Sequence, residues 1–496
     1  MSILFSPLDK TSSSKINLRD QLCARISYYI TQGLLEPGMR LPSCRKASLQ
    51  LGISRNTVVS AYQNLIYDGM VESRERSGYF VHQTARANPY PQPQSSAKPG
   101  SIKYLSLFER LSPSARPSIY DTVLRPTDWA SQPYPFVCNQ MDAARFPLAD
   151  WRKCSFQVLN RSQTAAVTSD YLYGDCEELV AQIRNRLLPR RGIYANEDEI
   201  LITAGAQQAI YITAMLFGGP DRKIACEDPC YPDARNIFHL FFGGIEAIEL
   251  DNQGLICDER LSGCNLVYVT PNHQYPTAVR MSKARRAELH AQAERHNLII
   301  IEDDYDCETD FDPLNEPALK SHAQSDHVIY IGTLSKSLSP GLRLGYVVGT
   351  PDFIREARAM RGMMIRHPPP IMQLTSAQFI RLGHHDALIS RLQGIYERRW
   401  YTANAALHEH FPDADITSGW GGTNFLVTLP DTVDLTGFTE RALQSGVVID
   451  HIKPCYMRPE ESHNKFRLGV SAIGTKKITA GIAKLRAIYD DFIVQP

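Results

Sequence analysis

Lys336 sits in TLSKSLSPGLRLGY, with Thr333 and Ser335 before it and Arg343 after it. A lysine alone does nothing unusual. Placed just beyond a buried strand, its amine can form a Schiff base with an aldehyde, and the neighbouring hydroxyls and guanidinium can hold a phosphate. Pyridoxal phosphate is a cofactor with both groups. Upstream, the apolar run LIIIE leads into Asp303, Asp304 and Tyr305. A carboxylate at such a strand end can pair with a pyridinium nitrogen, and a phenol can bond the ring oxygen, so these roles are expected of Asp303 and Tyr305. TAGAQQAIYI supplies a strand end, a small-residue turn at Gly205 and Ala206, and a helix start whose free N–H groups suit a phosphate. EDPCYPDAR places Tyr231 after another strand end, where its ring can stack on a cofactor face. Singly, each has a structural alternative: Gly205 as a helix entry, Tyr231 as a core aromatic, Asp303 as a cap, Arg343 in a surface ion pair. Their order along one chain points to a single site.

A second group of polar residues lies near the start. SRNT, residues 54–57, opens a helical pattern after a short Gly-containing turn. In a helix-turn-helix the first residues of the second helix enter the major groove, where Arg reads guanine, Asn reads adenine, and Ser and Thr suit phosphates. Ser54, Arg55, Asn56 and Thr57 are therefore candidate DNA contacts, with Arg45 and Lys46 on the preceding helix and Arg74, Arg76 and Ser77 on a following hairpin.

The elements that must position these groups follow from periodicity. Leu18, Leu22, Ile26, Tyr29 and Ile30 recur at helical spacing and predict one amphipathic helix ending near Gly33. Ser43 and Ser54 are placed to cap two more, the last with Val58, Ala61, Tyr62 and Leu65 inward. Strands over Met70–Ser73 and Tyr79–His82 flank the tip ERSG, so residues 15–82 read as a winged helix. Residues 83–135 are rich in Pro, Gln and Ser and read as a semi-rigid spacer, with a short helix from Tyr104 to Leu111. Beyond it, β-like runs at Glu199–Thr203, Lys223–Glu227, Leu266–Thr270, Leu298–Glu302 and Val328–Gly332 alternate with helical stretches, predicting an α/β domain over 136–496. From about Ala387 a long helix and the runs Asn424–Leu429, Val447–Ile449 and Phe466–Val470 predict a smaller α+β lobe.

Composition agrees. The 496 residues, 43% hydrophobic and 21% charged, exclude wholesale disorder and a fibrous repeat. No apolar run is long enough to span a bilayer, so a cytoplasmic protein is expected, with no membrane partner. The eleven cysteines are scattered and predict reduced thiols and no metal site. Net charge is zero, yet residues 1–82 hold ten Lys or Arg against six Asp or Glu, a local +4 that suits a nucleic-acid partner.

The segment LEPGMRLPSCRKASLQLGISRNTVVSAYQNLIYDGMVESRERSGYFV resembles the GntR-family winged helix over its length, departing at Arg45-Lys46-Ala47-Ser48, where a larger apolar residue is usual. From about Phe136 the chain resembles fold-type-I aminotransferases, and as a whole the MocR/GabR regulators, which fuse the two. The resemblance implies a DNA-binding transcription regulator and not an enzyme. It also implies a homodimer on two operator half-sites, pyridoxal phosphate on Lys336, and exchange with an amino-compound effector to an external aldimine. It further implies that Tyr173 in YLYGD reaches the phosphate of the partner subunit and that Arg467 in FRLGV receives an effector carboxylate. Ala278 stands where glycine is common, Tyr275 where aminotransferases place asparagine, and Cys230 where glycine is usual. The short Asp303-to-Tyr305 spacing leaves Asp304 as an alternative to Asp303. Two other readings stay open: an aminotransferase with an accessory DNA-binding domain, and a DNA-binding protein whose large domain only dimerises.

Overall fold

The computed structural model describes residues 17–31, 34–74, 77–83, 120–159, 168, 174–311, 316–322, 325–418 and 421–494. The chain divides into two compact units, Met1–Glu109 and Arg110–Pro496. Arg76, Tyr173 and the expected helix from Tyr104 to Leu111 lie outside the described residues.

In the first unit, helices α1 (Leu18–Thr31), α2 (Cys44–Leu51) and α3 (Arg55–Tyr67) precede the antiparallel hairpin β1 (Val71–Arg74) and β2 (Gly78–Val81). Local chemistry sets the boundaries. Ser43 Oγ accepts from the Lys46 N–H to start α2, and Gly52, at φ 62°, ends it in the left-handed region that favours glycine. Two residues later Ser54 caps α3 by accepting from the Thr57 N–H at 3.0 Å. Leu22, Ile26, Ala47, Leu51, Val58, Ala61, Leu65, Val71 and Val81 close the core between the helices and the hairpin, whereas Leu49 points to solvent.

The second unit is built on an eight-stranded sheet in the order β4-β11-β10-β9-β8-β5-β6-β7. Its strands are β4 (Ile200–Thr203), β5 (Gly219–Asp228), β6 (Phe242–Asp251), β7 (Gly254–Leu255), β8 (Leu266–Val269), β9 (Ile299–Asp303), β10 (Val328–Thr333) and β11 (Gly345–Val348). β10, β9, β8, β5 and β6 run parallel, and β11 is antiparallel to both β10 and β4. β4, β8 and β10 are buried at every residue, as uninterrupted apolar runs between two layers of helix require. The parallel strands, and β4 with them, all end on one side, which gathers Thr203, Asp228, Asp303 and Thr333 along a single edge. The smaller lobe comprises the sheet β12 (Asp415–Thr417), β13 (Asn424–Thr428) and β15 (Lys465–Gly469), backed by the helices His384–His410 and Thr475–Val494.

The spacer expectation needs correction at its end. Residues 120–135 belong to the larger unit: the Tyr120 ring stacks on His239 at 5.6 Å, and Asn236 Nδ2 donates to the Asp121 carbonyl at 2.8 Å. The two-residue strand β3 (Tyr134–Pro135) pairs with β14 (Val447–Val448). Proline-rich composition signals extended chain, and extended chain can lie on a surface as readily as it spans a gap.

Candidate functional site: a lysine-centred cavity and an exposed helix start

The edge formed by the strand ends opens into a cavity of about 190 Å³ lined by Lys336, Asp303, Tyr305, Tyr231, Ser335 and Arg343 among others. Lys336 follows β10 in a turn held by the Ser335 N–H donating to Thr333 Oγ1 at 3.1 Å. Its Nζ donates to the Asn139 carbonyl at 3.1 Å. Burial lowers the amine to a pKa of about 8; Arg125 and Arg467 push the same way, against Asp306 and Asp303.

Asp303 ends β9. Its Oδ2 accepts from Tyr268 Oη at 2.8 Å, while Oδ1 is buried with no partner. Burial pushes this carboxyl up to about 6; the Tyr268 bond holds it down and Asp304 raises it further. Asp304 is differently placed. It accepts from Arg191 Nε at 2.7 Å, Asn272 Nδ2 at 2.6 Å and Tyr330 Oη at 2.9 Å. Burial acts to raise it, yet these partners keep it below the usual carboxylate range. Of the two carboxylates, Asp303 lines the cavity. Tyr305 Oη and Ser335 Oγ are buried without partners.

At the start of the helix Ala206–Phe217, Gly205 has φ 88°, and a Cβ there would lie 3.0 Å from Arg343 Nη2. The backbone angle favours glycine, and a side chain there would press on the guanidinium. Tyr231 caps the helix Pro232–Phe241, donates to Asp233 Oδ2 at 2.9 Å, and meets the Tyr275 ring edge-on at 5.2 Å. Arg467, on β15, is fully buried; Tyr275 covers its face at 4.4 Å, and Nε, Nη1 and Nη2 have no hydrogen-bond partner.

Sequence reading missed several lining residues: Thr122, Arg125, Asn139, Asp233 and Tyr268. Tyr268 left a signal, since a phenol inside the apolar run LVYV needs a partner for its hydroxyl. Arg125 left none, and its fork closes on Asp450 through Nε–Oδ1 at 2.9 Å and Nη2–Oδ2 at 2.8 Å.

In the first unit, Arg45, Lys46, Arg55 and Asn56 are exposed, and Ser54 Oγ is engaged with Thr57. Ser77 is exposed on the hairpin. Arg74 donates to Glu72 Oε1 at 2.6 Å and lies 4.5 Å from the Phe80 ring centroid; Arg40, which sequence reading did not single out, lies 6.0 Å from that ring. Among the described residues no helix is long and apolar enough to cross a membrane, and no group of three or more His, Cys, Asp or Glu is placed to hold a metal.

Two family models match the chain: bacterial regulatory proteins of the gntR family over residues 18–81, and aminotransferase class I and II over residues 136–485. The HTH-type transcriptional regulator TauR of Rhodobacter capsulatus is 34% identical over 467 residues, covering 93% of this chain and 95% of that protein. The probable rhizopine catabolism regulatory protein MocR of Rhizobium meliloti is 26% identical, covering 96% and 94%. Among solved structures, Pyrococcus horikoshii kynurenine aminotransferase, in complex with PMP, superposes with a TM-score of 0.67 at 27% identity over 72% of this chain and 91% of that one. An exposed helix-turn-helix and an aminotransferase fold in one chain, matched end to end by such regulators, make this protein a member of the GntR/MocR-type transcriptional regulators that carry a fold-type-I aminotransferase-like domain.

Proposed function

We propose that this protein binds operator DNA as a homodimer and senses an amino compound through pyridoxal phosphate on Lys336, acting as a regulator and not as a turnover enzyme. The observation that carries the reading is the set of buried, unpartnered groups around a lysine of lowered pKa: Asp303 Oδ1, Tyr305 Oη and Ser335 Oγ. Buried polar atoms without partners are costly, so a ligand that bonds all three accounts for them together. Their chemistry fits the cofactor: an acceptor for a ring N–H, a donor for a ring oxygen, and a hydroxyl for a phosphate.

When bound, pyridoxal phosphate supplies an aldehyde carbon that amines condense with and an electron-withdrawing ring. Lys336 would hold it, and its nitrogen is the group that an incoming amine would displace from the aldehyde carbon. Asp303 keeps the ring nitrogen protonated, and Tyr268 orients Asp303. Thr333, Ser335, Arg343 and the N–H groups at Gly205 and Ala206 hold the phosphate, joined by Tyr173 of the partner subunit. Tyr231 stacks on the ring, and Arg467 offers its free edge to the effector's acidic group. The exchange biases DNA binding if the effector binds one arrangement of the dimer better than another. Arg55 and Asn56 read bases, while Arg45, Ser54, Thr57, Arg74, Arg76 and Ser77 hold the backbone.

Near-visible absorption tests the cofactor half. Wild type is expected to show a band that Lys336→Ala lacks and that one member of an amino-compound panel shifts. Two colourless proteins, even with added pyridoxal phosphate, would sink the reading in favour of a dimerisation scaffold. Steady amino transfer to a 2-oxo acid at about 10 per second would instead mark an aminotransferase with an accessory domain. Arg55→Ala is expected to abolish operator binding in gel shifts while retaining the band.

A further inference from the structure

The sensing reading leaves the effector's chemistry undefined, and the charges around the cavity restrict it. Asp303 and Arg343 are committed to the cofactor's ring and phosphate on that reading, and Lys336 to its aldehyde. Arg125 and Asp233 are the charged groups that then remain in the lining; beyond it Arg467 packs on Tyr275, Asp450 on Arg125, and Asp306 acts on Lys336.

Arg467 has all three guanidinium nitrogens unpartnered, with the Tyr275 ring on its face and only its in-plane N–H edge left for a ligand. Arg125 differs. Both oxygens of Asp450 close on it in a bidentate fork, and the Asp450 side chain is 1% exposed, so the two charges cancel in place. Asp450 is also tied to Arg467 through the main chain, its N–H donating to the Arg467 carbonyl at 2.9 Å. Arg235, the other buried cation nearby, donates to the carbonyls of Pro454 and Tyr456 and does not line the cavity. On the Tyr231 side, Asp233 lines the cavity and accepts from Tyr231 Oη and from Thr122 Oγ1, two neutral donors that leave its charge uncompensated.

We propose that the effector is an amino compound with a single acidic group, and that Asp233 and the Arg125–Asp450 pair exclude dicarboxylic amino acids. The acidic group takes the Arg467 edge. A second carboxylate meets Asp233, or Arg125 with its charge already cancelled by Asp450, and finds no uncommitted cation among the described lining residues. Like charges a few ångström apart repel strongly enough to cost roughly tenfold or more in affinity. Thr122 and Arg125 both come from residues 120–126, so this discrimination depends on the segment that precedes the aminotransferase-like fold.

The test rests on the cofactor reading and separates its failure from the failure of this inference. Reduced cofactor–amino acid adducts, N-(5'-phosphopyridoxyl)-glutamine and -glutamate, then the asparagine and aspartate pair, are titrated by calorimetry into the full-length protein freed of cofactor. Each pair is nearly isosteric and differs by one charge. The amide adducts are expected to bind at least about tenfold tighter than the acids, and Asp233→Asn to narrow that ratio. Equal binding, or tighter binding of the acids, overturns the inference while leaving the cofactor site standing. Failure of every adduct to bind overturns both. A ratio unaltered in Asp233→Asn, with Arg125→Gln also without effect on it, removes the role given to these two groups.

Discussion

At the residue scale, two groups of the site titrate near neutrality, Lys336 at about 8 and Asp303 at about 6, and the acid limb of the site's pH response belongs to Asp303. Its carboxyl is raised to about 6 by burial and held from rising further by Tyr268. Above that pH the charged form is available to pair with a ring N–H; as pH falls through about 6 the group takes a proton and the pairing is lost. Cofactor affinity of the full-length protein is therefore expected to drop on acidification with a midpoint near 6. Tyr268→Phe removes a bond made to the charged form, so it is expected to move that midpoint upward, by up to about one unit, and to weaken binding at neutral pH. Titrating cofactor at fixed pH values from 5 to 8 measures both effects, and a midpoint unmoved in Tyr268→Phe would show that the phenol does not tune the carboxylate. The difference between the two adjacent carboxylates was not legible in the sequence. Asp303 and Asp304 are adjacent and of one type, and only their partners separate them: Arg191, 113 positions away, takes Asp304.

At the element scale, the strands were legible because apolar runs bounded by polar residues have few other uses, and β4, β8, β9 and β10 fall within one or two residues of expectation. The winged helix was legible through its caps, Ser43, Gly52 and Ser54, each fixing an end by a local hydrogen bond or backbone angle. Ala278 is the informative departure. It is an alanine whose backbone has φ 64°, and its N–H donates to the Gln274 carbonyl at 2.7 Å. A left-handed conformation costs an L-residue about 1–2 kcal/mol. Glycine removes that cost but loses about 0.4–1 kcal/mol through its freer unfolded chain. Ala278→Gly is accordingly expected to stabilise the protein by about 0.5–1 kcal/mol in urea denaturation. A loss of stability would mean that the alanine methyl, 2% exposed, contributes more by packing than the backbone angle costs.

At the scale of the whole molecule, the boundary between the winged helix and the aminotransferase-like unit does not fall where composition changes. The prolines at 126, 133 and 135 made residues 120–135 look like the end of a spacer, and no periodicity marks a chain that crosses a surface in extended form. Apart from one local turn at Trp129–Ser131, its contacts reach far along the chain: Tyr120 with His239, Thr122 with Asp233, Arg125 with Asp450, β3 with β14. A spacer could be cut anywhere along it, whereas this segment completes a fold. A fragment of residues 110–496 is thus expected to fold and keep the cofactor band. A fragment of residues 136–496, which spans the whole aminotransferase match, leaves Asp450 buried without its guanidinium. Breaking a buried pair from one side costs about 3–5 kcal/mol, which for a domain of this size lowers the melting temperature by about 4–7 °C. Arg125→Ala in the full-length chain isolates that one contact and is expected to account for most of the difference. If the shorter fragment melts with the longer one and binds cofactor equally well, residues 120–135 are a covering and not a part of the sensor's structure.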